Sequence, residues 1–458
     1  MRGRFSSTMV LVFAGALATA ALATAAAPVT NFDVTAKPGN EAEHAIAVNP
    51  TNPSNVVAMS TLSDAVAGLA VGVSFNSGHT WARRVIGATT SDPLGDICCD
   101  EQLAWDHFGH LWMTYLLNSS LHVFVAVSTD GGRSFTKVGD ILTNGDQPSI
   151  SAGANSVWVS WTSSPGTLIQ ASGASVSGLG QFGSFSAPQR VPTANGRGDY
   201  GDTAVGPNGQ VLVTYQDKTG GQHGSNIYTA LDPDGLGPAG FNYPLFLARS
   251  EVGGFDYIPA QPNRSVDAEA NLAWDLSGGA HNGRVYEIWT QETPDESDNT
   301  DILLQYSDDN GTTWSPAVKL NDDHTVNSQY NPAIALDQSS GAVGVSWYDT
   351  RNDLGAGGSG DVDGVPNDDF QIWATDSTNG GATFAPNFRI SRGTSSAAVL
   401  GSFFDTGDYT HAAFVAGSFW PAWSDNSNST GDNPDGTLHQ FDLYTAAVPV
   451  SRLGADRH

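Results

Sequence analysis

The sequence predicts an all-β fold: a single β-propeller of four-stranded blades, seven of them, with six as the alternative. Three observations carry this expectation. Only 14% of residues are charged while glycine numbers 52 and tryptophan 12, which favours short strands and tight turns over long helices. One turn motif recurs four times. A pair of short apolar strands recurs seven times, and self-similarity along a chain marks repeat architectures.

The turn motif occurs as Ser74-Phe-Asn-Ser-Gly-His-Thr-Trp81, Ser128-Thr-Asp-Gly-Gly-Arg-Ser-Phe135, Ser307-Asp-Asp-Asn-Gly-Thr-Thr-Trp314 and Ser377-Thr-Asn-Gly-Gly-Ala-Thr-Phe384. Its Asp or Asn can bond amides of its own turn, and its Gly supplies a positive φ. The aromatic then packs under the hairpin. Alternating apolar residues precede the copies, as in His122-Val-Phe-Val-Ala-Val127, so each copy reads as a hairpin turn.

The strand pairs lie between these turns. Examples are Gln102-Leu-Ala-Trp105 with Leu111-Trp-Met-Thr-Tyr115, and Ala333-Ile-Ala-Leu336 with Val343-Gly-Val-Ser-Trp347. A further strand pair follows each. Four of these carry the turn motif, while residues 169–191, 226–248 and 441–448 are degenerate versions. Four strands in each of seven units is a seven-bladed propeller. The last unit lacks an outer strand. Residues 29–37 are expected to supply it and so remove an open sheet edge.

The remaining elements bound the setting. Arg2 and Arg4, the apolar run from Met9 to Ala23, and Ala23-Thr24-Ala25 fit a secretory signal. Residues 1–25 are therefore expected to be a signal peptide, residues 26–458 the propeller, and the protein secreted. No later apolar run is long enough to span a bilayer. Lys and Arg total 19 against 47 Asp and Glu, a net charge of -28, which excludes nucleic acid as a partner. A monomer is expected. The two cysteines, Cys98 and Cys99, are adjacent; they form either a vicinal disulfide or two buried thiols.

These turns resemble the Asp-boxes of the bacterial sialidase, or BNR-repeat, superfamily. The phrases Trp347-Tyr-Asp-Thr-Arg-Asn-Asp353 and Gly407-Asp-Tyr409 resemble others found in secreted sialidase-like propellers. The resemblance covers most of the mature chain and is specific for fold. It implies a secreted sialidase-like glycoside hydrolase acting on extracellular glycans or polysaccharide. The alternatives are a glycan- or protein-binding propeller without catalysis, and a polysaccharide lyase. Sialidase chemistry calls for a Tyr nucleophile beside a Glu, an Asp acid/base, and three arginines on the substrate carboxylate.

Topology locates the candidates. Asp-boxes join third and fourth strands, so they lie opposite the face where first strands begin and second strands end. That second face gathers polar residues, among them Glu43, His44, Asp146, Gln147 and Asp199. Tyr348 and Tyr409 are the candidate nucleophiles, with Glu101, Glu269 or Glu292 as partners. Asp100 and Asp349 are further catalytic carboxylates. Asp100 or Glu101 could also face Asp267 or Glu269 as an ordinary glycosidase pair. Arg197, Arg264, Arg351 and Arg392, with Asp408, are the candidate substrate ligands. A lyase would draw its base from His44 or His411. Asp361, Asp363, Asp368 and Asp369 crowd oxygen donors around a Gly turn, which makes calcium the expected metal.

Overall fold

The computed structural model describes Gly3 and residues 29–63, 67–163, 167–199, 201–217 and 221–450. The expected signal peptide lies outside these residues apart from Gly3. Every named element is a strand, and all pairings are antiparallel. Among the described residues no helix is long and apolar enough to cross a membrane.

The strands fall into successive meanders. The first sheet runs Asn40–Val48, Val56–Ser63, Leu69–Ser74, Ala82–Ile86. Next come Ile97–Trp105, Leu111–Leu117 and His122–Ser128, and then the long strand Thr136–Ala152. The first part of that strand pairs with His122–Ser128 and its last part with Ser156–Ser163, so two meanders share one strand. Gly145 sits at the joint. A Cβ there would lie 2.6 Å from Val123 and 2.7 Å from Trp161, so only glycine lets the chain pass between them. Leu168–Gly178 and Gln189–Arg190 complete that meander.

Three four-membered paths follow. They are Thr203–Val205, Val211–Gln216, Ser225–Asp232, Leu245–Ser250; then Asn271–Trp274, Val285–Glu292, Thr300–Ser307, Val318–Lys319; then Gln329–Asp337, Ala342–Asp349, Asp369–Ser377, Phe388–Arg389. The last comprises Ala412–Val415, Ser418–Asp425 and Asp442–Ala446, with the early strand Asn31–Asp33 on its outer edge. Asn31 faces Ala446 and Asp33 faces Tyr444.

Second strands are almost wholly buried, as Ala342–Asp349 shows, because a neighbouring sheet covers each face. Fourth strands such as Val318–Lys319 are short and exposed, which limits edge pairing. Hydrophobic clusters fill the gaps between consecutive sheets. Tyr286, Ile288 and Leu304 pack on Val343, Val345 and Trp347, for example. The series returns to its start: Trp420, Ala422 and Leu443 of the last sheet pack on Ile46, Val56 and Ala58 of the first. First strands likewise touch in cyclic order, the last against the first.

All four Asp-box turns close alike. In the third, the Ser307 hydroxyl accepts the Gly311 amide at 2.9 Å and donates to Asp309 at 2.8 Å. Asp309 in turn accepts the amide and the hydroxyl of Thr313, each at 2.7 Å. Ser128, Asp130 and Ser134 repeat the set, and Asn76 and Asn379 serve in the other two copies. Each turn joins a third strand to a fourth.

Asp130→Ala and Asp309→Ala should each lower unfolding free energy by about 1–2 kcal/mol, and the double variant should lose the sum, since the turns share no partner. Urea denaturation of the four proteins measures this; a wild-type midpoint in both single variants would contradict it.

Candidate functional site

The first strands share a local device at the face opposite the Asp-boxes. Glu43, Asp100, Gln147, Glu269 and Asn331 adopt left-handed backbone, with φ of 58°, 59°, 42°, 40° and 45°. Four of them interrupt their ladders: register shifts fall at Ala42/His44, Cys99/Gln102, Ser160/Thr162 and Tyr330/Ala333. A bulge leaves one residue unpaired and re-aims its side chain. Positive φ at non-glycine residues costs on the order of 1 kcal/mol each, and such strain clusters at functional sites.

The re-aimed side chains meet. Arg264 donates from Nε to Asp408 Oδ1 at 2.7 Å and from Nη2 to Asp408 Oδ2. The same Nη2 lies 3.4 Å from Glu43 Oε1. Gln147 donates from its side chain to Asp408 at 3.3 Å and from its amide to Asp100 at 2.9 Å. Asn331 donates to the Gly407 carbonyl at 3.0 Å. Asp267 accepts the Glu269 amide at 2.7 Å nearby. Among the described residues Arg264 is the one cation paired with these carboxylates.

Arg264 arrives on an element without a sequence forecast. Asp256–Ile258 and Gln261–Val266 form a small ribbon between two meanders. Gln261 accepts from the Thr406 amide and donates to the Gly407 carbonyl, while Asp405 takes the Asn263 and Arg264 amides. The ribbon and residues 405–408 are thereby clamped, which brings Arg264 to Asp408. The turn residue Pro259 was the available signal.

Burial dominates the electrostatics. It pushes Glu43 up to about 7, with Arg264 opposing and Asp408 adding to the rise. It pushes Asp267 up to about 8, aided by the Asp408 charge. Asp100, Glu101 and Glu269 are also raised well above the usual carboxyl range, burial being the main cause. Asp408 is raised by burial and pulled back by Arg264.

The mouth therefore contains Asp100, Glu269, Asp408, Arg264 and Tyr409 from the sequence candidates. Tyr409 is buried and its hydroxyl has no hydrogen-bond partner. Burial first, then Asp100 and Glu43, hold the phenol well above its ordinary value, so it stays protonated.

Other candidates need correction. Tyr348 is a core residue: its ring stacks on Tyr330 at 5.2 Å and its hydroxyl accepts the Ser424 amide at 2.8 Å. Asp349 is committed to Arg351 at 2.7 Å and to the Trp347 indole at 2.7 Å. Arg351 also binds Asp322 and covers the Trp373 ring, so both are fixed within their own corner of the fold. Glu101 turns into the gap between sheets, where Thr61 donates to it at 2.8 Å. Glu292 is spent on the amides of Glu296, Ser297 and Asp298. Arg197 is exposed, and Arg392 is an exposed residue beside Asn31, at the outer strand. The four arginines thus do not converge, and the expected carboxylate clamp is not formed.

Neither histidine is a ready base. His44 is fully buried between the Ser60 and Ser424 hydroxyls, and burial lowers it to about 3. His411 bonds the His44 carbonyl and is lowered to about 4 by burial. Cys98 and Cys99 are joined as a disulfide in the strand leading to Asp100. Asp361, Asp363, Asp368 and Asp369 do come together, and Asp353 joins them.

The BNR/Asp-box repeat family model matches residues 305–316, which span the third turn. No curated protein matches the chain. Solved structures with a similar course include the Penicillium chrysogenum α-L-arabinanase complexed with arabinobiose, at 14% identity and TM-score 0.45, covering 77% of this chain and 99% of that one. The BP39L lectin from Burkholderia pseudomallei is similar at 12% identity and TM-score 0.48, covering 76% and 84%. Trypanosoma rangeli sialidase is similar at 13% identity and TM-score 0.41, covering 89% and 55%.

Two outcomes follow from the charge arrangement. Arg264→Met should cost about 3–5 kcal/mol, because it strands buried carboxylates. Arg197→Ala should stay within about 0.5 kcal/mol. Equal denaturation midpoints for the two would remove Arg264 from its central place. The raised carboxyls bind protons more tightly folded than unfolded, so their contribution is complete below about pH 4 and is lost as pH rises through the folded values, about 7 for Glu43 and about 8 for Asp267. The melting temperature should therefore fall between pH 5 and pH 8.5 at fixed ionic strength. Calorimetry showing a rise over that interval would refute the assignment.

Proposed function

We propose that the meanders are the blades of one closed seven-bladed β-propeller, and that the chain is a secreted, monomeric glycoside hydrolase with its substrate over the polar mouth. The cyclic packing of sheets supports the ring. A cavity of about 560 Å³ at the Asp-box end supports it too, because its lining comes from or just beyond every first strand, including Ile46, Leu103, Ile150, Leu336 and Phe414. A disulfide between the only two cysteines suits an oxidising compartment.

One observation carries the catalytic reading: Glu43 of the first sheet and Asp408 of the loop before the last sheet meet on a single guanidinium. Glycosidases work with two carboxyl groups whose environments differ, one protonated and one ionised. Glu43, raised to about 7, fits the proton donor. Asp408, held by both arms of Arg264, fits the ionised partner. Both carboxylates contact the same nitrogen, so they lie close together, as the pair of a retaining enzyme does, rather than at the about 6.5–9.5 Å of an inverting one. Tyr409 and Gln147 supply polar contacts for hydroxyls.

The same charges select the substrate class. Among the described residues the one arginine at the mouth is already bonded to Asp408 and Glu43, so the carboxylate of a sialic acid or uronate would find no free guanidinium. The reading is therefore a neutral glycan.

Purified mature protein should release reducing sugar from a neutral polysaccharide or aryl glycoside and none from a sialoside. Glu43→Gln and Asp408→Asn should each lower kcat by about 10²–10⁴-fold. Wild-type kcat/KM should decline as pH rises through about 7, where Glu43 loses its proton. Binding of glycans without release from any substrate would support a lectin-like propeller instead. Full activity in Glu43→Gln would remove it as the acid.

A further inference from the structure

The connection between Ala342–Asp349 and Asp369–Ser377 holds a second carboxylate cluster, separate from the mouth. Carboxylate oxygens of Asp353, Asp368 and Asp369 lie within 4.8 Å of one another, and so do those of Asp361, Asp363 and Asp369. Asp369 belongs to both sets. Asp353, Asp368 and Asp369 are 0%, 5% and 1% exposed. Among the described residues, none of the ion pairs includes any of the five.

Backbone amides hold the cluster in shape. Asp353 accepts the amides of Asp368 and Asp369 at 2.8 and 2.9 Å. Asp361 accepts those of Gly357 and Gly364, both at 2.7 Å. Two oxygens are left over: Asp368 Oδ1 and Asp369 Oδ1 are buried and accept no hydrogen bond. A buried carboxylate oxygen without a donor is costly, and like charges beside it add to the cost.

From this geometry we propose that residues 353–369 bind one Ca²⁺, with Asp369 as the shared ligand, Asp353 and Asp368 beneath it, and Asp361 and Asp363 on the outer side. The donor set is all oxygen, which selects a hard cation over zinc or copper. Calcium accepts about six to eight oxygens in irregular geometry, whereas magnesium demands a near-ideal octahedron. The site also reaches the mouth. Asn327 donates to the carbonyls of Thr350 and Asp353, and Asn367 accepts the Ser328 amide, just ahead of the first strand that carries Asn331. A cation here would brace that strand end. The inference does not rest on the hydrolase reading.

The test uses the whole mature protein, stripped with EDTA and titrated calorimetrically with CaCl₂ up to about 10 mM, above the weak extracellular range of about 10⁻⁴–10⁻³ M. One equivalent should bind and raise the melting temperature. Asp368→Asn and Asp369→Asn should weaken binding at least about tenfold, while Asp234→Asn, in another Asp turn, should not. In chelator, the two site variants should melt at or above wild type, because each relieves repulsion; this also reports that they fold. No heat and no thermal shift with calcium would overturn the proposal, and so would wild-type affinity in both site variants.

Discussion

One guanidinium sets the terms for the polar mouth. Buried carboxylates converge there from a strand and a loop far apart in sequence, and Arg264 is the charge that makes their company tolerable. Its position depends in turn on the ribbon Asp256–Ile258/Gln261–Val266 and on the clamp that Gln261 and Asp405 make with the loop before the last meander. The left-handed residues Glu43, Asp100, Gln147, Glu269 and Asn331 are strained individually. Their arrangement makes sense as a set, since four of them free a polar side chain from a ladder and Glu269 does so just ahead of its strand.

Much of the fold was readable because its signals are local. The Asp-box is a closed set of hydrogen bonds within eight residues, so the motif alone specifies the turn, and Ser307 to Trp314 forms as its sequence suggests. The apolar pairs were equally clear, since strands covered on both faces must be apolar throughout. What composition could not show was the shared strand Thr136–Ala152, whose passage depends on Gly145 fitting between two distant side chains.

The site was less legible, for reasons specific to its residues. Tyr348 and Tyr409 look equivalent in sequence, each beside an Asp, yet one stacks in the core and the other lies among the mouth carboxylates. Their settings decide this: Tyr348 belongs to the buried strand Ala342–Asp349, whereas Tyr409 lies in the loop before Ala412–Val415. Arg264 and Arg351 were both plausible ligands. Their partners, Asp408 for one and Asp349 for the other, separate a residue at the mouth from one locked to its own strand end. Glu43 was legible only as a polar residue of the second face, because Arg264 reaches it from far along the chain. The aspartates of residues 361–369 were visible, since local crowding is a property of sequence.

The pairing of Asn31–Asp33 with Asp442–Ala446 carries a consequence for how the molecule is made. Residue 31 emerges from synthesis long before its partner residue 446. The outermost strand of the final sheet must therefore wait, unpaired, while every intervening meander is produced. Loop closure on that scale is entropically slow, so this sheet is expected to be the last to assemble. Until then both the first and the last sheets expose a face that the finished molecule hides, which is the interval in which a helper protein or a neighbouring chain would find something to grip.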